Sequence, residues 1–257
     1  MSLTTFLTEL KTRNEALYWF GLLCFIGGII FLVLSRTSDV MLDEVSAWYK
    51  PFKFAFSIGL YCWTMAWYCS YLTSFNTTAF SWTTIALLGF EIIYIALQAS
   101  KGQRSHFNNS SALDTILYAM MGMAATLVTI YTVYIGVLFM SGSFPELPPH
   151  YLTAIRWSIL IFIIFSFEGF VMGSRMSHTI GGPDGNHGIP VLNWSRKFGD
   201  PRIAHFAGMH ALQLLPLLSW YVVRNTTAIH IIALLYLLLA IATLVQALNG
   251  KPLFPAG

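Results

Sequence analysis

Charged residues are scarce in this chain: only 10% of its 257 residues are Asp, Glu, Lys or Arg, whereas 56% are hydrophobic and the mean hydropathy is +0.65. A soluble domain cannot present a polar surface with so few charges, so the composition argues against one. Cysteine is scarce too, and Cys24, Cys62 and Cys69 all fall inside long apolar runs. Their placement argues against a disulfide framework and a thiolate metal site, and predicts small packing residues.

Several catalytic motifs are missing. The sequence has no Gly-x-Ser-x-Gly elbow, no Walker loop or dinucleotide fingerprint, and no His-Glu-x-x-His motif. These absences argue against a hydrolase, a nucleotide-driven pump and a zinc protease. The net charge of +3 does not indicate a nucleic-acid partner.

Long apolar runs are what the chain has in abundance. A helix needs about 20 apolar residues to cross a bilayer, and seven runs of roughly that length follow one another. The sequence therefore predicts an all-α, polytopic transmembrane helical bundle of about seven spans, in a single integral membrane domain over residues 1–257. The predicted spans are 17–35, 51–72, 78–99, 113–140, 151–174, 203–223 and 228–248.

The basic residues are divided unequally between the two sides of such a bundle. The positive-inside rule places the amino terminus outside and the carboxyl terminus in the cytoplasm, although a basic rim that binds an anion would give the same pattern. The outer side carries Lys11, Arg13, Arg156 and Arg224, and the cytoplasmic side carries Arg36, Lys50, Lys53, Lys101, Arg104, Arg175, Arg196, Lys197, Arg202 and Lys251.

Two histidines, His205 and His210, lie in the sixth predicted span. An imidazole in hydrocarbon is costly unless it ligates or relays something, so both are candidate functional residues. A separation of five residues turns them about 140° apart around the helix and displaces them about 7.5 Å along it. This spacing suits a single metal ion poorly, and we expect two distinct roles with partners from other helices.

The candidate partners are His106, after the third span, and His178, after the fifth. Pairing either of them with a histidine of the sixth span predicts a bis-histidine site for a b-type haem, or two such sites. His106 and His210 form the leading axial pair, and His178 and His205 form a second pair or serve as reserve ligands. The haem propionates would be held by arginines from the set Arg104, Arg175 and Arg202.

Four further polar residues are expected to support these ligands. Glu168 is about 9 Å below the basic surface, at a depth similar to that of His210, so the two side chains can meet. The Glu168 carboxylate would then accept the second ring proton of a ligating His210, or the two residues form a purely structural hydrogen bond. Glu91 and Gln98 share one helix face, and Glu91 is either a neutral interhelical hydrogen-bonding residue or a proton-relay or ligand-binding group. Gln213, three residues after His210, completes the set.

The connection between the fifth and sixth spans is longer than twenty residues and rich in turn-forming residues. Bundles prefer shorter connections, so this loop is expected to fold back as a lid. His187 within it is predicted to be a solvated loop residue.

Three motifs carry a resemblance to known sequences: Trp48 to Phe54, Ser105-His106-Phe107-Asn108, and Gly199 to Gln213. With them the chain resembles, over nearly its whole length, a family of uncharacterised bacterial polytopic membrane proteins that have similar lysine-proline, Ser-His-Phe-Asn and His-Phe-x-Gly-x-His-Ala-Leu-Gln motifs. The resemblance implies a bacterial inner-membrane location and no particular activity.

The function predicted first is that of a b-type haem-binding membrane protein, acting as an oxidoreductase or electron carrier with a quinone or another small redox partner. The second hypothesis is a membrane-embedded metalloenzyme that holds zinc, copper or iron. Its ligands would be His106, His178, His205 and His210, with Glu168 as ligand or base. The third is a proton-coupled transporter that uses Glu91 and Glu168 as carriers.

Overall fold

A computed structural model describes residues 2–185 and 188–255 of the chain. Over these residues the chain is almost entirely helical, which confirms the all-α prediction, and its only strands form one short antiparallel hairpin. The elements are α1 (Leu3–Arg13), α2 (Glu15–Thr37), β1 (Met41–Leu42), β2 (Val45–Ser46), α3 (Tyr49–Cys69), α4 (Thr77–Ser100), α5 (Ala112–Ser141), α6 (Pro149–Arg175), α7 (Arg202–Tyr221) and α8 (Thr226–Leu248).

Each of the seven predicted spans overlaps one helix from α2 to α8. Five of these helices, α2, α4, α5, α6 and α8, are long and apolar enough to cross a membrane. Helix α3 starts with two lysines in its first five residues, and α7 contains His205, His210 and Gln213, so both are more polar. The chain therefore has five candidate membrane spans, and the count of seven stays a prediction.

Asparagine begins three of the long helices. The side-chain oxygens of Asn14, Asn76 and Asn225 each accept a hydrogen bond from the backbone N–H three residues later, at the starts of α2, α4 and α8. This cap satisfies one of the N–H groups that have no partner within the helix. Polar caps therefore determine where the apolar runs become helical.

The contacts divide the chain into two compact units, Met1–Val128 and Thr129–Gly257, and the boundary falls within α5. The single membrane domain stays a prediction. In the first unit, glycines let α2 and α3 pack closely, with the Trp63 ring beside Gly21 and the Phe25 ring beside Gly59. Small residues that admit neighbouring side chains in this way are typical of helix packing in membranes.

The three cysteines are buried in the first unit, and their thiols are free. Cys24 lies on α2, and Cys62 and Cys69 lie on α3. Their predicted role as small packing residues is confirmed.

In the second unit, α6, α7 and α8 pack around a core that is rich in alanine. Gly208 of α7 faces the Phe165 ring so closely that a Cβ there would be 2.0 Å from Phe165 Cγ. Small side chains thus bring the three helices close together. The alanines of the core are Ala154, Ala204, Ala211, Ala233 and Ala240.

The connection between α6 and α7 is anchored to α8. Ile180 and Gly199 exchange backbone hydrogen bonds of 2.9 and 3.1 Å, and Gly199 packs against the backbone of Ala247 near the end of α8. The loop thus folds back onto its own unit, and its role as a lid stays a prediction. The prediction for His187 lies outside the described residues.

Candidate functional site

His106 lies in the loop between α4 and α5, surrounded by aromatic rings. Its ring centroid is 5.4 Å from that of Phe54 on α3, 6.2 Å from that of Phe107 and 6.1 Å from that of Tyr118 on α5. Its Nδ1 lies 3.1 Å from the hydroxyl oxygen of buried Ser105. The first unit thus holds this half-buried imidazole by a polar contact on one nitrogen and by aromatic packing.

The loop around His106 is fixed by side-chain amides. The Asn108 amide donates to the Arg104 carbonyl at 2.9 Å, and its oxygen accepts the backbone N–H and the hydroxyl of Ser110. Gln98 at the end of α4 donates to the same carbonyl at 3.3 Å and to Asp114 Oδ1 at 3.1 Å. Gln98 therefore positions the segment that carries His106, which is an indirect form of its predicted supporting role.

Glu91 is buried on the same face of α4 as Gln98, with buried Tyr94 and Ile95 between them. The prediction that Glu91 and Gln98 share a face is confirmed. The choice between a structural and a proton-relay role for Glu91 stays open, and it stays a predicted supporting residue.

His178 follows the end of α6, and Asp184 holds it at two points. The ring Nδ1 donates to Asp184 Oδ2 at 2.7 Å, and the backbone N–H donates to the same oxygen at 3.1 Å. Burial by itself raises the pKa of the Asp184 carboxyl, but the His178 hydrogen bonds and the charges of His178 and Arg202 lower that pKa below its usual range. The pair is thus a carboxylate that orients an imidazole.

Asp184 lies in the loop that was predicted only to be rich in turn-forming residues, and its contact with His178 was not predicted. Its position six residues after His178 was the available signal, because an Asp in a tight loop can fold back onto the preceding segment.

Two of the three arginines proposed for haem propionates already bind carboxylates. Arg104 Nη2 donates to both carboxylate oxygens of Asp43, at 2.8 and 2.9 Å, and Arg202 forms a bidentate pair with buried Asp200 through Nε and Nη2, at 2.8 and 2.6 Å. Arg175 is exposed at the last position of α6. A propionate would have to compete with an existing partner at Arg104 and Arg202, which makes Arg175 the better candidate.

His210 lies about two turns into α7, partly buried. Its Nδ1 is 3.3 Å from Gln213 Oε1, and the Phe206 ring packs on it with centroids 4.3 Å apart. Gln213 therefore contacts His210 directly, as its predicted supporting role requires.

Glu168 meets His205, and not His210 as the depth estimate predicted. Glu168 Oε2 lies 3.3 Å from His205 Nδ1 across the interface between α6 and α7. Residues 168 and 210 would be level only if α6 ended at the height where α7 begins. Gly208 faces Phe165 instead, and this antiparallel register brings residue 168 opposite residue 205. Helix α6 therefore runs about one turn beyond the start of α7.

The two histidines of α7 have different neighbours, as their five-residue spacing predicts. His205 faces Glu168 and Gly169 on α6, whereas His210 contacts Phe206 and Gln213 of its own helix. Among the described residues, no group of three or more His, Cys, Asp or Glu side chains could hold a metal ion. The structure thus gives the four-histidine metal centre no support, while the pairing of His106 with His210 stays a prediction.

Two histidines outside this set, His150 near the start of α6 and His230 near the start of α8, have structural partners. His150 Nδ1 lies 2.9 Å from the Ser219 hydroxyl, and His230 Nδ1 accepts a 2.9 Å hydrogen bond from the Trp157 indole N–H. Because His230 Nδ1 accepts this bond, the ring proton of neutral His230 lies on Nε2. Nε2 cannot ligate a metal unless it loses that proton.

Comparison of the chain with protein-family models, with curated proteins and with solved structures finds no match.

Proposed function

We propose that this chain is a b-type haem-binding membrane protein, an oxidoreductase or electron carrier, with axial ligands from the set His106, His178 and His210. Its redox partner would be a quinone or another small molecule that reaches the protein from the bilayer or from its surface. A bound haem would supply one-electron chemistry, and these histidines would hold it and adjust its potential.

One observation carries this proposal: in each of these histidines Nδ1 lies within 3.3 Å of a side-chain oxygen, that of Ser105, Asp184 or Gln213. His150 has a similar contact with Ser219, but it lies at the opposite end of α6 from His178 and is not among the predicted ligands. An imidazole that ligates a metal commonly donates its other ring N–H to an oxygen, which fixes the ring and the tautomer. With Nδ1 engaged, Nε2 is the nitrogen that would bind iron. The aromatic rings beside His106 and His210 would provide flat apolar surfaces against a porphyrin.

The membrane setting of the proposal is a bacterial inner membrane crossed seven times, with α3 and α7 spanning it beside the five more apolar helices. The distribution of lysine and arginine supports an outer amino terminus and a cytoplasmic carboxyl terminus. In that arrangement the loops that carry His106 and His178 both face the cytoplasm.

Alanine variants of the three histidines test the proposal. The measurement is the oxidised and reduced optical spectrum of each purified protein, together with its haem content per chain. We expect two of the variants His106→Ala, His178→Ala and His210→Ala to lose the low-spin haem spectrum, because a bis-histidine iron needs both ligands.

His230→Ala is the matched control, since that ring is held by Trp157 and has no place in the proposed site. It should bind haem like the unaltered protein. If all three histidine variants kept an unchanged haem spectrum, the proposed ligand set would be wrong.

A further inference from the structure

The contact between α6 and α7 leaves three buried polar atoms unsatisfied. The Glu168 side chain is only 4% exposed. Within the described part of the chain, neither of its carboxylate oxygens has a hydrogen-bond partner, and neither does Nδ1 of His205. Buried polar atoms without hydrogen bonds are unfavourable in an apolar surrounding, and the long ion-pair contact of Glu168 with His205 does not replace those bonds, so these atoms leave a place for a further ligand.

The two residues are close without being hydrogen-bonded to each other. His205 Nδ1 lies 3.3 Å from Glu168 Oε2, and the two atoms form no hydrogen bond. A charge-assisted hydrogen bond would be about 2.7–2.9 Å long. Two ligands bound tetrahedrally to one ion at about 2.0–2.1 Å each lie about 3.3 Å from one another. The separation is therefore long for a direct charge-assisted hydrogen bond and compatible with two atoms that share a small metal ion.

A glycine lies beside the pair. Gly169 follows Glu168, and a Cβ on it would lie 3.3 Å from His205 Cε1, so a larger residue would crowd the imidazole. The His205 side chain is 30% exposed, whereas Glu168 is buried behind it. An ion at this point would be reached from the His205 side and would keep further coordination positions.

We propose that Glu168 and His205 bind a divalent transition-metal ion of the Zn²⁺ class, whose remaining coordination positions are taken by water or by an external ligand. Carboxylate oxygen and imidazole nitrogen are both ordinary ligands for such an ion. With two protein ligands such a site leaves coordination positions open, and among the described residues no third His, Cys, Asp or Glu side chain joins them. The proposal does not depend on the haem, because it uses none of the three histidines assigned to it.

Titration with Co²⁺ tests this site, because Co²⁺ takes the place of Zn²⁺ and gives a visible absorption that depends on its ligands. The protein is first stripped of metal with a chelator and then titrated in detergent, with Zn²⁺ as competitor. We expect one Co²⁺ per chain, displaced by Zn²⁺. Glu168→Gln and His205→Ala should each weaken binding at least tenfold, since each removes one of two protein ligands.

Two further measurements keep the test decisive. Glu168→Gln keeps the shape of the side chain, and its helix content should match that of the unaltered protein, so lost binding cannot come from lost folding. His230→Ala, the control, should bind Co²⁺ normally, and the haem content of Glu168→Gln should be unchanged. The proposal is overturned if the stripped, folded protein binds no Co²⁺, or if Glu168→Gln and His205→Ala bind it as tightly as the unaltered protein.

Discussion

At the scale of single residues, the four histidines differ in the sequence separation between each ring and the side chain that its Nδ1 contacts. The Nδ1 partners of His106 and His210 are one and three residues away, and that of His178 is six residues away. His205 instead meets Glu168, 37 positions earlier on another helix. Local sequence therefore determines the first three orientations, and helix packing determines the fourth.

The pair of His178 and Asp184 yields a stability prediction. The pKa of Asp184 is lower in the folded protein than in an unfolded chain, so the carboxylate stabilises the fold above its unfolded pKa of about 4 and loses this effect as the pH falls further. Asp184→Asn should destabilise the second unit by about 1.5–3 kcal/mol at neutral pH, the usual range for a hydrogen bond to a charged group.

Thermal unfolding in detergent, at neutral pH and in acid, measures this effect. The gap between the unaltered protein and Asp184→Asn should be largest at neutral pH and should narrow in acid. An equal gap at both pH values would show that the Asp184 charge contributes nothing.

The sequence predicted the residue types of the site better than their contacts. His106, His178, His205 and His210 stand out because imidazoles are rare and costly in apolar runs. The engagement of Arg202 by Asp200 was not predicted, although the two residues are only two positions apart. Such a contact depends on how the loop bends before α7, which no periodicity encodes.

At the scale of elements, the predicted spans match the helices closely because long apolar runs and polar caps coincide. Span 78–99, for example, corresponds to α4 (Thr77–Ser100), which Asn76 caps. Helix α1 and the hairpin β1–β2 were not predicted: α1 has 11 residues of mixed polarity, and each strand has two. Elements this short carry too few residues for a period to be recognised.

The register between α6 and α7 is the feature that counting along the sequence missed. The number of residues between a side chain and the loop gives its height only if α6 ends at the height where α7 begins. Helix α6 extends about one turn beyond that point. Close packing of Gly208 on Phe165 sets the true register. Contacts between residues on different helices can therefore be predicted only when the packing of the helices is known, even where the helices themselves are evident from the sequence.

That packing predicts the effect of a single methyl group. Gly208→Ala places a Cβ 2.0 Å from Phe165 Cγ, and this ring carbon lies too near the backbone to move aside. We expect a loss of about 1–3 kcal/mol in the free energy of unfolding, the usual cost of overpacking a core. Thermal unfolding of the purified variant measures it.

Gly122→Ala is the matched control for this change. Gly122 lies inside α5, and a Cβ there would meet nothing within 4 Å among the described residues. The same exchange should leave stability equal or raise it by about 0.5–1 kcal/mol, because alanine favours a helix more than glycine does. If both variants lost the same stability, the proposed contact between Gly208 and Phe165 would not explain the effect.

At the scale of the whole molecule, the outer surfaces of the long helices require lipid. Within the apolar stretch of 18 residues in each helix, only 22% of α2 and 17% of α8 is buried inside the protein. Side chains such as Leu23 and Ile29 on α2, and Leu235 and Leu239 on α8, are more than half exposed. Apolar surfaces of this kind are unfavourable in water and are compatible with a lipid bilayer.

The number of spans has a direct test by chemical labelling. Single cysteines at Ser2, Lys101 and Lys251 are treated with an impermeant maleimide on intact cells and again after the membrane is opened; the native cysteines are buried. Seven spans predict labelling of Ser2→Cys from outside, with Lys101→Cys and Lys251→Cys labelled only after opening. If only the five more apolar helices crossed the membrane, position 101 would follow two spans and would be labelled from outside.

The haem content of the purified protein tests the central claim most directly. The protein is produced with an ample haem supply, and its optical spectrum is recorded oxidised and reduced, together with its iron and its porphyrin per chain. The account predicts a Soret band, the reduced spectrum of a low-spin b-type haem, and at least one haem per chain. A folded protein with no Soret band and no porphyrin would contradict it.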